Sequence, residues 1–280
     1  MARHLLPLSI LAGLMACSPG NPDIVETGDD TDWIYDCEGN NDGVIQADEL
    51  PWATGLAVPY LANAHGSTVA VQPGGEQVGG DTTWDFTDAP DTLAVDMDLL
   101  DPSGQWFSEH FPDASYAAPL FAHELDILAL FATYDDRFEM LGLASRDESP
   151  TEGQTLLIYE EPLEVYRFPL ELGTAWTAQG TFRDATLYGL TNAGEEDYSF
   201  EVDSVGTLLL PGFTMENTLR LKVEVSQTFA VSTGDNPVVS VRHLYLRECF
   251  GELARITSLP GETETEFTEA SELRVLDVEG

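Results

Sequence analysis

The chain is poor in positive charge. Eleven Lys and Arg stand against fifty Asp and Glu, a formal net charge of −39 in 280 residues. That balance excludes polyanionic partners, because nucleic acid and anionic lipid headgroups would be repelled. Cations are the expected counter-species. Cysteine is scarce as well, with Cys37 and Cys249 the only two beyond Cys17. In an oxidising compartment an isolated pair is more often a disulfide than a metal site or two free thiols. A Cys37–Cys249 bridge is therefore expected, and it would pin the start of the folded region to a strand near its end.

Long hydrophobic runs are also missing. No stretch after the N-terminus approaches the roughly 18 uninterrupted apolar residues of a spanning helix. The longest candidate, Leu125 to Ala132, contains Asp126. Motifs of catalysis are absent too: there is no His-Glu-x-x-His, no Gly-x-Ser-x-Gly elbow and no phosphate loop. His123-Glu124 is only a dipeptide. His65, His110, His123 and His243 read as surface or half-buried strand residues. A pair of acids of the glycosidase type is not legible among fifty, since any two can meet in space.

What is present begins at the N-terminus, where Arg3 precedes the apolar run from Leu5 to Leu14. Its charge and length are those of an export signal. The run ends in Leu14-Met15-Ala16-Cys17, which resembles the bacterial lipobox. The resemblance implies that residues 1–16 are a lipoprotein signal peptide and that Cys17 carries a diacylglyceryl group. It also implies three acyl chains, enough for a stable membrane anchor. Ser18 in place of Asp implies sorting to the outer membrane of a Gram-negative envelope. Residues 17–32 then read as a disordered acidic tether, with too few apolar groups to offset chain entropy.

From residue 33 onward the pattern is extended. Thr218 to Ser226 alternates apolar and polar residues, so Leu219, Leu221, Val223 and Val225 are predicted to share one buried face. Further strands are predicted at 67–72, 92–99, 155–159, 177–188, 198–210, 238–247 and 272–278. Turn formers separate them at Gln72–Gly75, Asp101–Gly104, Asn192–Gly194 and Thr233–Pro237. The expected fold class is all-β and mainly antiparallel, a β-sandwich or part-barrel of one or two packed domains with little helix. Residues 119–131 are too continuously apolar to separate a short helix from strand. A boundary near Phe168-Pro169 would divide a first β-rich region, 52–168, from a second, 169–280.

Three segments carry a further resemblance. Gly79-Gly-Asp-Thr-Thr-Trp-Asp-Phe-Thr87, Phe168-Pro-Leu-Glu-Leu-Gly-Thr-Ala-Trp176 and Val205 to Leu221 are similar, in order and spacing, to segments of uncharacterised secreted and lipoprotein β domains of bacteria. The first carries their Trp-Asp-Phe-Ser/Thr signature. The resemblance implies a β-rich extracytoplasmic fold and brings no catalytic residue with it. Trp84, Trp176 and Phe213 are read as core anchors beside turns.

Ion chemistry is written most clearly between residues 33 and 51. Glu38-Gly-Asn-Asn-Asp-Gly-Val-Ile-Gln-Ala-Asp-Glu49 has the layout of an EF-hand calcium loop. Glu38, Asn40 and Asp42 would offer side-chain oxygens, Val44 a carbonyl, Gln46 a direct or water-mediated contact and Glu49 both carboxylate oxygens. Gly43 takes the sixth place, where the turn is sharp. Glu instead of Asp at the first place and Pro51 after the last are departures from the motif. The function expected is a non-enzymatic binding or structural role in the cell envelope, with structural Ca²⁺, a lipid-anchored membrane association and a protein or glycan partner. The alternative is a secreted glycan or peptide hydrolase using an Asp/Glu pair.

Overall fold

The computed structural model describes residues 37, 39–50, 52–90, 92–230 and 237–277. Cys17, the signal and tether segments, and Glu38 lie outside the described residues. The strands are β1 (Ala57–Ala62), β2 (Val69–Ala70), β3 (Glu76–Val78), β4 (Asp81–Asp85), β5 (Leu93–Asp98), β6 (Tyr116–Phe121), β7 (Glu124–Thr133) and β8 (Arg137–Ser145). They continue with β9 (Leu156–Arg167), β10 (Ala175–Leu187), β11 (Leu190–Leu210), β12 (Phe213–Phe229), β13 (Val238–Arg247), β14 (Gly251–Ser258) and β15 (Glu269–Leu276). Among the described residues helix is confined to the 3-10 turns Ala47–Glu49 and Ser108–His110, and none is long and apolar enough to cross a membrane.

One sheet takes in every strand, twelve of them in the order β5-β1-β15-β14-β13-β12-β11-β10-β9-β8-β7-β6, with β2 paired to β15, β4 to β11 and β3 to β4 off this path. Its two ends meet where Leu100, just past β5, exchanges both backbone hydrogen bonds with Ala117 of β6, at 2.8 and 3.0 Å. The sheet is therefore nearly closed, and side chains alternate between an inner and an outer face. Strands on both sides of Phe168-Pro169 belong to it. Leu219, Leu221, Val223 and Val225 do share a buried face. Across the ladder they oppose Leu246, Leu244, Arg242 and Ser240, all of which point inward.

Residues 119–131 form the β6–β7 hairpin. Ala118, Leu120, Ala129 and Phe131 face the main core, while Ala117, Leu128 and Leu130 pack outward against Phe107 and Phe111. A strand buried on both faces loses its period of two, which is why its sequence is uninformative. The turn expected at Asn192–Gly194 is not there. Gly194 lies inside β11, opposite Phe182 and Phe229, and the chain reverses instead at Tyr188-Gly189. A Cβ on Gly194 would stand 2.6 Å from the Thr228 carbonyl and 2.7 Å from Cζ of Phe182, so the glycine serves close packing rather than a turn.

Part of the outer face of β12–β15, at Arg220, His243 and Tyr245, is covered by β2–β4 and the 259–268 segment. Fully buried Trp84 and nearly buried Phe86 meet the Tyr245 ring edge-on, each at 5.1 Å. Trp176 stacks on Phe200 at 4.6 Å, and Phe213 is half-buried.

Candidate functional site

The loop at 39–50 is fastened to the body at several points. Cys37 and Cys249 are joined, with 5.5 Å between their Cα atoms. The Cys249 N–H donates to the Glu49 carbonyl at 2.7 Å, and Arg247 donates through Nη2 to Asn41 Oδ1. On the other side Ile45 and Leu170 exchange backbone hydrogen bonds at 2.9 Å, with Ile45 buried. Asn41 and Gly43 hold positive φ, 57° and 81°, and so let the loop turn sharply.

Asn40 and Asp42 are exposed, and their side-chain oxygens accept the N–H of Asp42 and of Val44, each at 2.8 Å. Val44 is half-buried and Gln46 exposed. Glu49 is buried, and its Oε2 accepts the Gln46 N–H at 2.9 Å. Burial raises the Glu49 carboxyl above the usual range; donation from Gln46 opposes this, and the charges of Glu248, Asp42 and Asp48 add to it. Glu248, in the β13–β14 turn, was not singled out by the sequence. It is only 5 % exposed, its Oε2 accepts the Asn40 N–H at 3.2 Å, and its Oε1 has no hydrogen-bond partner. Among the described residues no group of three or more His, Cys, Asp or Glu side chains converges as a metal cage.

A second polar constellation lies inside the barrel. Arg242, Arg255 and Arg274 are fully buried, from a chain with only eleven cationic side chains. Glu252 binds two of them, accepting from Arg255 Nη2 at 2.5 Å and from Arg274 Nη2 at 2.6 Å. The Leu120 carbonyl of β6 accepts from both guanidinium groups at 3.2 Å. Glu272 stands 3.5 Å from Arg274 Nη1 and 3.3 Å from His123 Nδ1. Burial raises the Glu272 carboxyl, but His123, Arg274 and Arg255 outweigh it and hold the carboxyl below the usual range.

Glu196, also fully buried, accepts from Tyr159, Tyr198 and Gln227 at 2.6, 3.0 and 2.8 Å. Burial pushes its carboxyl up to about 7 despite those donors and Arg242. His243 is fully buried on the outer face of β13, contrary to the surface or half-buried position expected. It lies against Phe267, its Nε2–H donates to the Thr265 carbonyl at 2.7 Å, and burial depresses its ring to about 3.

A shallow depression of about 670 Å³ on the outer surface of β10–β13 is lined by residues that include Thr177, Gln179, Asp197, Ser199, Glu224 and Glu262. No family model matches the chain, and no curated protein or solved structure matches it.

Proposed function

We propose that this chain is a cell-envelope lipoprotein, tethered through Cys17, whose β body has a non-enzymatic binding or structural role and whose N-terminal loop is clamped to that body by Ca²⁺. The observation that supports the clamp is Glu248, a nearly buried carboxylate with one oxygen unpaired at the loop. Burying an unpaired charge is costly, and a divalent cation would relieve both Glu248 and the crowded Glu49. The ligands would be Asn40, Asp42, the Val44 carbonyl, Glu49 and Glu248, with Gln46 acting through water, drawn inward around the ion. A lone EF-hand-like loop binds weakly in isolation, and the bridge to Cys249 lowers the ordering entropy it would otherwise lose.

The test is calorimetric titration of Ca²⁺ into the mature protein. Heat of binding is expected for the wild type, none for Glu49→Ala and an affinity lowered by about tenfold or more for Glu248→Gln. Absence of heat in the wild type, with an unchanged melting temperature in Ca²⁺, would remove the clamp from the proposal.

The hydrolase reading rests on the β10–β13 depression, whose lining includes Asp197, Glu224 and Glu262. Glu196, whose raised carboxyl would suit a general acid, is enclosed by Tyr159, Tyr198 and Gln227 and is unreachable by a polymer.

A further inference from the structure

The ladder places Arg242 opposite Thr257 on β14, and Thr257 opposite Glu272 on β15, all three pointing into the barrel. Arg242 is 0 % exposed, and Nε, Nη1 and Nη2 all lack a hydrogen-bond partner. Thr257 Oγ1 is likewise buried and unpartnered. No described carboxylate comes within ion-pair distance of Arg242, in contrast to Arg255 and Arg274 beside it. The charged and titratable groups that face it are Tyr198, Arg255, Glu196 and Glu272.

A buried guanidinium presents five N–H donors, and leaving them unmet costs several kcal/mol on the general scale for buried charge. Its own neighbours do not meet that need. Arg255 and Arg274 take up Glu252, Glu196 is held by two tyrosines and a glutamine, and Glu272, whose carboxylate oxygens accept no hydrogen bond, forms its ion pairs with Arg274 and His123 and not with Arg242. The five inner side chains Arg242, Arg255, Arg274, Glu252 and Glu272 therefore leave one positive charge without a counter-charge. Glu196, with its carboxyl near 7, supplies that counter-charge only in part at neutral pH.

We propose that Arg242 and Thr257 form an internal receptor for one small monoanion, a carboxylate or a halide, bound inside the barrel between β13 and β14. The planar guanidinium fork would receive two acceptor atoms, and the Thr257 hydroxyl would donate a third hydrogen bond. A bulky anion would not fit, because every unmet donor is closed off from solvent.

The experiment uses the mature chain at constant sodium concentration, replacing gluconate, too large to enter, by formate. A melting rise of about 3 °C is expected, the shift given by a ligand near ten times its Kd on a domain of this size. Arg242→Met should abolish the rise. If Arg242→Met does not fold, Thr257→Val takes its place and should reduce the rise. A crystal soaked in bromide should show an anomalous peak beside the Arg242 guanidinium. A peak there together with a formate-specific rise supports the site. Ordered water at Arg242 with no anomalous peak, or a rise unchanged in either variant, overturns it.

Discussion

Two buried side chains, Glu196 and His243, set opposite pH responses, and the sign of each follows from where its proton sits. Burial raises the Glu196 carboxyl from 4.5 to about 7, so the folded state keeps a proton that the unfolded chain releases. Its stabilising contribution is complete below about pH 4.5 and is lost as pH rises through about 7. Burial lowers His243 from 6.5 to about 3, so the unfolded chain takes up a proton that the folded state refuses. That contribution is complete above about pH 6.5 and is lost as pH falls toward 3. Between these limits the two slopes cancel in part. Glu196→Gln should unmask the histidine: relative to wild type, its unfolding free energy should gain on the order of 3 kcal/mol between about pH 4 and about pH 8. Urea unfolding at a series of pH values measures this, and a constant difference would refute it. His243 also shows what the sequence hid. Nothing in Val241-Arg242-His243-Leu244 distinguishes a histidine under a covering segment from one in solvent, because the cover, Thr265 and Phe267, comes from 22 or more positions away.

The N-terminal loop is ordered largely by contacts with distant parts of the chain. It has no hydrophobic core of its own beyond Ile45 and Leu50, and it relies on Leu170, Arg247, Glu248 and Cys249. The Cys37–Cys249 link spans 212 positions. Closing so long a loop removes much entropy from the unfolded chain, and removal of a native disulfide typically costs about 2–5 kcal/mol. Reduction, or Cys37→Ser with Cys249→Ser, should lower the unfolding free energy in guanidinium by that amount, and the midpoint with it, while leaving the far-ultraviolet signature of the sheet intact. Equal midpoints before and after reduction would mean that the loop adds nothing to global stability. The loop pattern was visible in the sequence from spacing alone. Glu248 was not, since its proximity is created by the β13–β14 turn and not by any local motif.

At the scale of the whole molecule, charge is segregated. The surface carries most of the fifty acids, while three of the eleven cationic side chains are enclosed in the barrel, where they cannot offset surface repulsion well. Self-repulsion of this size weakens the compact state and is screened over about 10 Å at 0.1 M salt. Raising sodium chloride from about 0.02 M to about 0.2 M should therefore raise the melting temperature by several degrees. The same general rise should appear in Arg242→Met, which separates screening from any effect at the inner guanidinium. A melting temperature independent of salt would show that the acids are already neutralised by bound cations.

The sequence by itself determined the fold class, through alternation in strands such as 218–226, turn residues at 72–75 and 101–104, and the absence of any long helical pattern. It also pointed to Cys37 and Cys249 as partners, since they are the only two cysteines beyond Cys17 and an isolated pair is more often a bridge if the chain is exported. Tertiary structure alone decided that one sheet joins both halves, through the β1–β15 and β9–β10 pairings, and that it nearly closes at the Leu100–Ala117 bridge. It also decided that residues 119–131 are strands, that Gly194 serves packing, and that Arg242, Arg255 and Arg274 share one interior. The reason is physical. Alternation records which residues share a face of a strand, but whether that face meets solvent, a cover or the inside of a barrel is fixed by strands distant in sequence, and with it the partner each charge finds.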